Sequence, residues 1–412
     1  MRILFAHQNF PGQFRHVAPA LAERGHEVAA LAMRERPSFD PRIRLIRWEP
    51  RRGSTPGIHP WAADFETKVI RGEQAFRAMS AERAAGYAPE IVIAHPGWGE
   101  SLFVNEVWPK ARLGIYCEFY YRPEGADVGF DPEFPVTDEG DACRIRLKNL
   151  NMQLHFDSAA AGLAPTQWQA DGFPQRFRDR ITVVHDGIDT GLVAPRPETT
   201  ITLGSGLVLS KTDEIVTYVS RNLEPYRGFH VFMRALPEIL RRRATAHVLI
   251  VGGPGVSYGP RPKDGRSWRD IFVGEVRPLI PDRDWQRVHF LGNLPYQQFL
   301  AVLQVSSVHV YLTYPFVLSW SLLEAMSAGC AVVASDTPPL QETIRNDDTG
   351  RLVPFFDRRA LAEHVCELLA APAERARLGR RAREFAREVY DLKTICLPKQ
   401  LAWVERLGRA FP

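Results

Sequence analysis

Two arginines, Arg221 and Arg227, flank the turn in Arg221-Asn222-Leu223-Glu224-Pro225-Tyr226-Arg227-Gly228, just past an apolar run, Ile215–Ser220, that reads as a strand. Guanidiniums at the C-terminal edge of a strand suit a diphosphate, each charged hydrogen bond contributing about 1.5–3 kcal/mol; a surface salt bridge is the plainer alternative. Gly228 opens the helix that follows. A second stretch, Tyr311 to Asp336, reads as strand, turn, short helix, a glycine stop at Gly329, and strand. Its turn sets the amides of Ser319, Trp320, Ser321 and Leu322 at a helix N-terminus, where free N–H groups and the helix dipole favour an anion. Glu324, in the first turns of that helix, either accepts two hydroxyl hydrogen bonds from a ribose or complements the dipole. Gly252-Gly253-Pro254-Gly255 follows the strand His247–Val251, but Tyr258 stands where a G-x-G-x-x-G pattern needs its last glycine, which argues against a nicotinamide oxidoreductase. The loop reads instead as backbone, Gly253 included, that approaches a nucleotide, with Tyr258 or Trp268 near base or phosphate.

In the first half, His95-Pro96-Gly97-Trp98-Gly99-Glu100 follows the apolar run Ile91–Ala94. A lone histidine is ordinarily a satisfied structural one. A Pro-Gly-Trp-Gly turn at a strand end is also where α/β proteins place function, so both readings stand. Asp282-Arg283-Asp284 matches a D-x-D metal pattern, but it precedes the strand Arg287–Leu291 and reads as a solvated loop. With no other His or carboxylate cluster at ligand spacing, no metal is expected.

These residues sit in a chain of 412, 45% hydrophobic and 24% charged, enough for two or three domains and incompatible with a disordered chain. Short apolar runs alternate with helical-period segments throughout, the pattern of parallel sheets covered on both faces. Strands are expected at Arg2–Ala6, Glu27–Leu31, Ile43–Arg47, Ile91–Ala94, Leu113–Cys117, Ala160–Leu163 and Ile181–Val184. Helices fall near Phe14–Arg24, Trp61–Gly86, Gly99–Val107 and Asp141–Asp157. The alternation restarts at Ile215, with strands also at His247–Val251, Arg287–Leu291, Val308–Leu312 and Ala331–Ser335. A Pro/Thr/Gly-rich stretch separates the halves. The expected domains are therefore residues 1–190 and 213–390, joined by a linker at 191–212, with the last segment, 391–412, a candidate to pack back on the first. The stretch Ala373–Tyr390 reads as a solvated amphipathic helix.

Five scattered cysteines without a C-x-x-C pair read as reduced thiols, and no run approaches the roughly 18–20 apolar residues of a membrane span, so a cytoplasmic protein is expected. Lysine occurs only at positions 68, 110, 148, 211, 263, 393 and 399; nearly all positive charge is guanidinium, which suits phosphate or reflects a GC-rich genome. A net charge of +4 with no recognition motif argues against nucleic acid as a partner. Arginines of Arg34–Arg52 and of the Trp61–Gly86 helix, beside Trp48, Trp61 and Phe76, form a candidate surface for peripheral membrane contact, diluted by neighbouring acids.

Taken together and in order, several segments resemble a retaining glycosyltransferase of family 4 (group 1). They are Phe10-Pro11-Gly12-Gln13-Phe14 with Arg24-Gly-His-Glu-Val28, His185-Asp-Gly-Ile-Asp189, the Arg221/Arg227-Gly228 pair, Val251-Gly-Gly-Pro-Gly255 and Leu323-Glu324-Ala-Met-Ser-Ala-Gly329. The resemblance implies a GT-B fold: α/β, two facing Rossmann-like, doubly wound parallel-sheet domains with a ligand cleft. It implies that Arg221 and Arg227 bind a donor pyrophosphate and Glu324 the nucleotide ribose, and that Gly12 lets a first-domain loop approach donor and acceptor. The donor would be a nucleoside diphosphate sugar, used as a co-substrate with no further cofactor. The acceptor would be a hydroxyl of a glycan, a lipid-linked molecule or a small molecule. Two departures stand out. Arg227 replaces the family's usual lysine, and Phe316 stands where a glutamate normally precedes Glu324 by eight positions. The family's active-site histidine is missing in its usual form; Glu118, in Tyr116-Cys117-Glu118-Phe119, is the local candidate and His95 the second. Two other readings stay open: a nucleotide-sugar epimerase-like enzyme on the same fold, and a non-catalytic sugar-nucleotide-binding partner of a transferase.

Overall fold

The computed structural model describes residues 1–33, 40–135 and 138–409. They form two compact units, Met1–Gly187 with the C-terminal segment from Lys393, and Ile188–Leu392.

In the first unit, seven short runs form one wholly parallel sheet. They are β1 (Arg2–Ala6), β2 (Glu27–Ala32), β3 (Arg44–Arg47), β4 (Ile91–Ala94), β5 (Arg112–Tyr116), β6 (Ala159–Ala164) and β7 (Ile181–Val183). Their order is β3-β2-β1-β4-β5-β6-β7. Ile3 pairs with Val28 on one side and Ile91 on the other. Because successive side chains point to opposite faces, the sheet feeds two cores. Leu4, Ala6, Val92 and Ala94 belong to one, and Ile3, Phe5, Ile91 and Ile93 to the other. The C-terminal helix Leu397–Gly408 covers the second face through Leu401, Trp403, Val404 and Leu407. Gly114 is what lets it lie close: a Cβ there would stand 2.6 Å from both Trp403 and Leu407.

Three helical expectations in this unit break into shorter pieces. The first is a 3-10 turn, Gly12–Phe14, followed by the helix Val17–Glu23. Gly99–Val107 yields only Val104–Val107, because Pro96–Trp98 forms a 3-10 turn closed by Gly99 at φ +104°. Asp141–Asp157 divides at Asn149 into Asp141–Lys148 and Leu150–Phe156. The Asn149 side chain there accepts from Tyr121 N–H at 3.0 Å and donates to the Tyr121 carbonyl at 2.7 Å.

The second unit has a six-stranded parallel sheet of β10 (Ile215–Asn222), β11 (His247–Gly253), β12 (Val288–Gly292), β13 (Val308–Tyr311), β14 (Ala331–Ser335) and β15 (Arg351–Val353). The order is β12-β11-β10-β13-β14-β15. The residues expected as a linker, 191–212, belong to this unit instead. They carry an antiparallel hairpin, β8 (Thr200–Thr202) and β9 (Val208–Ser210), whose Leu203 and Leu209 are buried against Val302 and Val305. The glycines that suggested a linker make its turn, with Gly206 at φ +84°. The helix Pro372–Tyr390 is solvated on one face only; Ala382, Phe385, Ala386 and Tyr390 pack into the core beside Leu322 and Met326.

No helix among the described residues is long and apolar enough to cross a membrane. Of the aromatic residues read as a membrane-contact surface, Trp48 is buried in the first core, while Phe76 is exposed. Residues 34–39 of that stretch lie outside the described residues.

Candidate active site

In a doubly wound sheet, ligands bind beyond the strand C-termini where the strand order reverses. In the first unit that point lies between β1 and β4. His7 follows β1 directly, His95 follows β4, and Glu118 lies two residues past β5. Nδ1 of His95 accepts from the Gly97 amide at 3.2 Å, which leaves Nε2 to carry a proton and donate to Glu118 Oε2 at 3.3 Å. His7 is fixed the same way. Its Nδ1 accepts from Asn9 N–H at 3.0 Å, and its Nε2 donates to Gln13 Oε1 at 2.9 Å. Gln13 Nε2 passes the chain on to Glu118 Oε1 at 2.9 Å.

Glu118 thus receives a side-chain donor on each oxygen. Burial pushes its carboxyl up, but the hydrogen bond and charge of His95, helped by Gln13, outweigh it and hold the group below its ordinary value. Burial, with His95 adding to it, lowers His7 to about 3 and keeps that ring neutral. His95 stacks on Trp98 at 4.2 Å and Tyr116 at 5.5 Å between centroids, which fixes its plane. The Glu118 side chain remains 35% exposed and, with His95 and Trp98, lines a cavity of about 300 Å³. Gly12, at φ +47°, leans on this network, since a Cβ there would overlap the His7 imidazole. The requirement for glycine is therefore met inside the unit, by packing on His7.

The reversal in the second sheet falls between β10 and β13. Arg221, near the end of β10, is exposed and makes no hydrogen bond or ion pair among the described residues. Arg227 is buried and engaged: its Nη1 donates to Thr313 Oγ1 at 2.8 Å, Val317 O at 3.0 Å and Tyr311 Oη at 3.3 Å. It acts as a strap on the 313–317 loop, and its guanidinium also lies 5.0 Å from the centre of the Tyr258 ring. Gly228 takes φ +66°, and a Cβ there would meet Leu312; Gly253 leaves no room for a Cβ between Asn222 and Asn293, both at 2.9 Å.

At the start of the helix Trp320–Ser327, three of the four amides expected to be free are taken. Ser319 N–H donates to Tyr311 Oη at 2.8 Å, Ser321 N–H to Ser319 Oγ at 3.3 Å, and Leu322 N–H to the Ser319 carbonyl at 3.2 Å. The reason is that Ser319 caps its own helix. Glu324 is nearly buried and accepts from Tyr296 Oη at 2.7 Å. Phe316 meets Tyr226 edge-on at 5.6 Å and Tyr258 at 5.0 Å, so an aromatic wall stands where the resemblance leads one to look for a carboxylate. Asp282 and Asp284 are held by Arg277 and Arg287.

Sequence reading passed over His7, Gln13, Tyr296 and Glu224. His7 carried a usable signal, a polar residue directly after the first strand. The others carried none, because the groups that give them a role, Glu118 for Gln13, Glu324 for Tyr296 and the Ser257 amide for Glu224, lie 105, 28 and 33 positions away.

A family model described as "Glycosyl transferase family 4 group" matches residues 24–193, and one described as "Glycosyl transferases group 1" matches residues 206–385. The chain belongs to the group 1 glycosyltransferases of family 4. Among curated proteins, the D-inositol 3-phosphate glycosyltransferase of Corynebacterium efficiens is 30% identical over 213 residues, 51% of this chain and 47% of that protein. The chain thus spans about half of that relative. The glycogen synthase of Mycobacterium tuberculosis is 29% identical over 428 residues, 96% of this chain and 92% of that protein. Among solved structures, the sucrose-phosphate synthase of Thermosynechococcus elongatus aligns with a TM-score of 0.71 at 20% identity, covering 100% of both chains. Anabaena HepE in complex with UDP and glucose aligns at 0.66 and 16% identity, covering 98% of this chain and 99% of that one. The two parallel-sheet units have the GT-B fold.

Proposed function

We propose that the protein transfers a hexose from a nucleoside diphosphate sugar to an acceptor hydroxyl with retention of the anomeric configuration. The observation that carries this reading is Glu118: a carboxylate held ionised by two donors, open to a cavity, beside the switch point of the first sheet. Such a group orients and polarises an acceptor hydroxyl. In the second unit, Arg221 carries an unspent charge for the donor diphosphate, and Glu324 supplies the carboxylate for a ribose. UDP is the first nucleotide to test, because the HepE structure contains it. The protein's contribution is electrostatic: the Arg221 guanidinium charge stabilises the departing diphosphate.

We also infer that no metal ion or cofactor takes part and that the protein works in the cytoplasm. EDTA should leave turnover unchanged, and restoration by magnesium after loss in EDTA would refute this. Peripheral membrane contact rests on Trp61 and Phe76, and flotation with anionic vesicles tests it.

A thermal-shift panel of nucleoside diphosphate sugars tests donor choice, since a ligand at about 100 times its dissociation constant adds roughly 2.7 kcal/mol. Arg221→Ala should abolish donor binding. Glu118→Gln should stop transfer and spare donor binding; normal turnover in that variant would sink its assignment, and an inverted product in the NMR spectrum would sink retention. Phe316, in place of a carboxylate, favours a second reading, nucleotide-sugar binding without turnover. Donor binding with no transfer to any acceptor supports it.

A further inference from the structure

The cavity beside Glu118 has a cationic wall that the transfer reading does not use. The helix Ala63–Ala84 turns Asp64, Thr67, Lys68 and Arg71 toward it, a spacing that puts all four on one helical face. That face is docked closely on the His95 loop. A Cβ at Gly99 would run into the Lys68 backbone, and one at Gly72 would stand 2.9 Å from the Gly99 carbonyl. Lys148 completes the wall from the end of the helix Asp141–Lys148, its Nζ 3.6 Å from the centre of the Tyr121 ring.

The charges do not cancel locally. Lys68 is spoken for, with Nζ 2.6 Å from Asp64 Oδ2. Neither Arg71 nor Lys148 has a hydrogen bond or an ion pair among the described residues. Glu100 makes no ion pair with Arg71 among the described residues: it is fully buried, with one oxygen taken by the Gln8 amide at 2.7 Å and the other without a partner, and burial pushes its carboxyl up against the opposing charges of His95 and Arg71. Burial likewise lowers the Lys148 ammonium, with Asp64 and Asp127 favouring its charge and Lys68 and Arg144 opposing it; an incoming anion would favour the charged form.

We propose that this cavity is an oxyanion subsite, in which Arg71 and Lys148 hold a phosphate monoester on the acceptor while its hydroxyl meets Glu118. Two cations without an ion-pair partner among the described residues match a dianionic monoester better than a single carboxylate, and the guanidinium fork offers it paired hydrogen bonds. The inference rests on the transferase reading for the hydroxyl's fate, but the anion site stands on its own geometry.

Calorimetric titration of the full chain with glucose 6-phosphate, glycerol 3-phosphate and inorganic phosphate, against glucose and glycerol, tests it. The phosphates should bind and the neutral polyols should not. Arg71→Gln and Lys148→Met should each raise the dissociation constant about tenfold or more, and Lys148→Arg should recover most of the loss. Circular dichroism confirms each variant's fold; should Lys148→Met not fold, Arg71→Gln carries the test. Absence of phosphate binding, or phosphate binding lost in Arg221→Ala but kept in Arg71→Gln, overturns the proposal. UDP is titrated into the same samples. UDP binding without phosphate-ester binding removes the subsite alone, and phosphate-ester binding without UDP binding removes the donor reading alone.

Discussion

Glu224 offers a direct test of how the second unit shapes its nucleotide-side loop. This carboxylate is fully buried, and it accepts from three consecutive amides: Ser257 N–H at 2.9 Å on Oε1, and Tyr258 and Gly259 N–H at 3.2 and 3.1 Å on Oε2. Replacement by glutamine keeps the shape and removes the charge. In its better orientation the amide oxygen keeps Tyr258 and Gly259, while its NH2 faces the Ser257 N–H and leaves that buried donor unpaired. An unpaired buried donor costs about 1–3 kcal/mol, and two charge-assisted bonds become neutral ones, each weaker by about 1 kcal/mol. Relief from burying a charge offsets part of this, so Glu224→Gln should destabilise the second unit by about 3 kcal/mol. Hydrogen exchange resolved to peptides gives the readout, because a global melt of a two-unit chain mixes transitions. The amides of Ser257, Tyr258 and Gly259 should exchange about a hundredfold faster, with the first unit unchanged. Less than about 1 kcal/mol in urea unfolding together with unaltered exchange at these amides would refute the argument. The Tyr258 ring should then also be undisturbed over Arg227.

Three further outcomes follow from the same structure. Arg227→Met removes a buried charge together with the donor to Thr313, Val317 and Tyr311, and should cost about 2–4 kcal/mol, with faster exchange confined to the 313–317 loop; unchanged exchange there would show that the strap is idle. Gly12→Ala should destabilise the first unit by about 2–4 kcal/mol through left-handed backbone strain plus overlap with His7, and proton NMR should show the His7 and His95 rings displaced. His309 is fully buried, and burial lowers it to about 3, so the unfolded chain binds a proton there that the folded one does not as pH falls from about 6.5 toward that value. Stability should therefore fall with falling pH in that window, by up to about 1.4 kcal/mol per pH unit from this residue. His309→Gln should flatten that limb by about one proton, and an unchanged slope would rule the residue out.

Much of this architecture was legible in the order of residues. Ile3-Leu4-Phe5-Ala6 and Val308-His309-Val310-Tyr311 are buried on both faces, and unbroken apolar runs separated by helical segments allow few arrangements but covered parallel sheets. Of the strands with three residues, β7 was legible in an apolar run but β8, β9 and β15 were not, being too short to show a period, and the glycines of the β8–β9 turn imitate a linker. Of the candidate site, Glu118 and His95 were visible as polar residues just past apolar runs. The free amides before Trp320 were misread, because nothing local shows that the Tyr311 hydroxyl reaches the Ser319 N–H.

The sequence by itself determined which residues stand at the strand ends, since the alternation of buried runs and helices dictates where each strand stops and chemistry is exposed. Tertiary structure decided how those residues are used. Gln13 and Glu118 are 105 positions apart and meet because β1, β4 and β5 lie side by side, a neighbourhood set by the winding order of the sheet. The same winding brings His95 to the other oxygen of Glu118. In the second unit, packing spends Arg227 on the loop it straps and leaves Arg221 exposed. Residue type marks a group as able to hold a charge or a proton; only the packed neighbours determine whether that capacity is satisfied internally or left for a ligand.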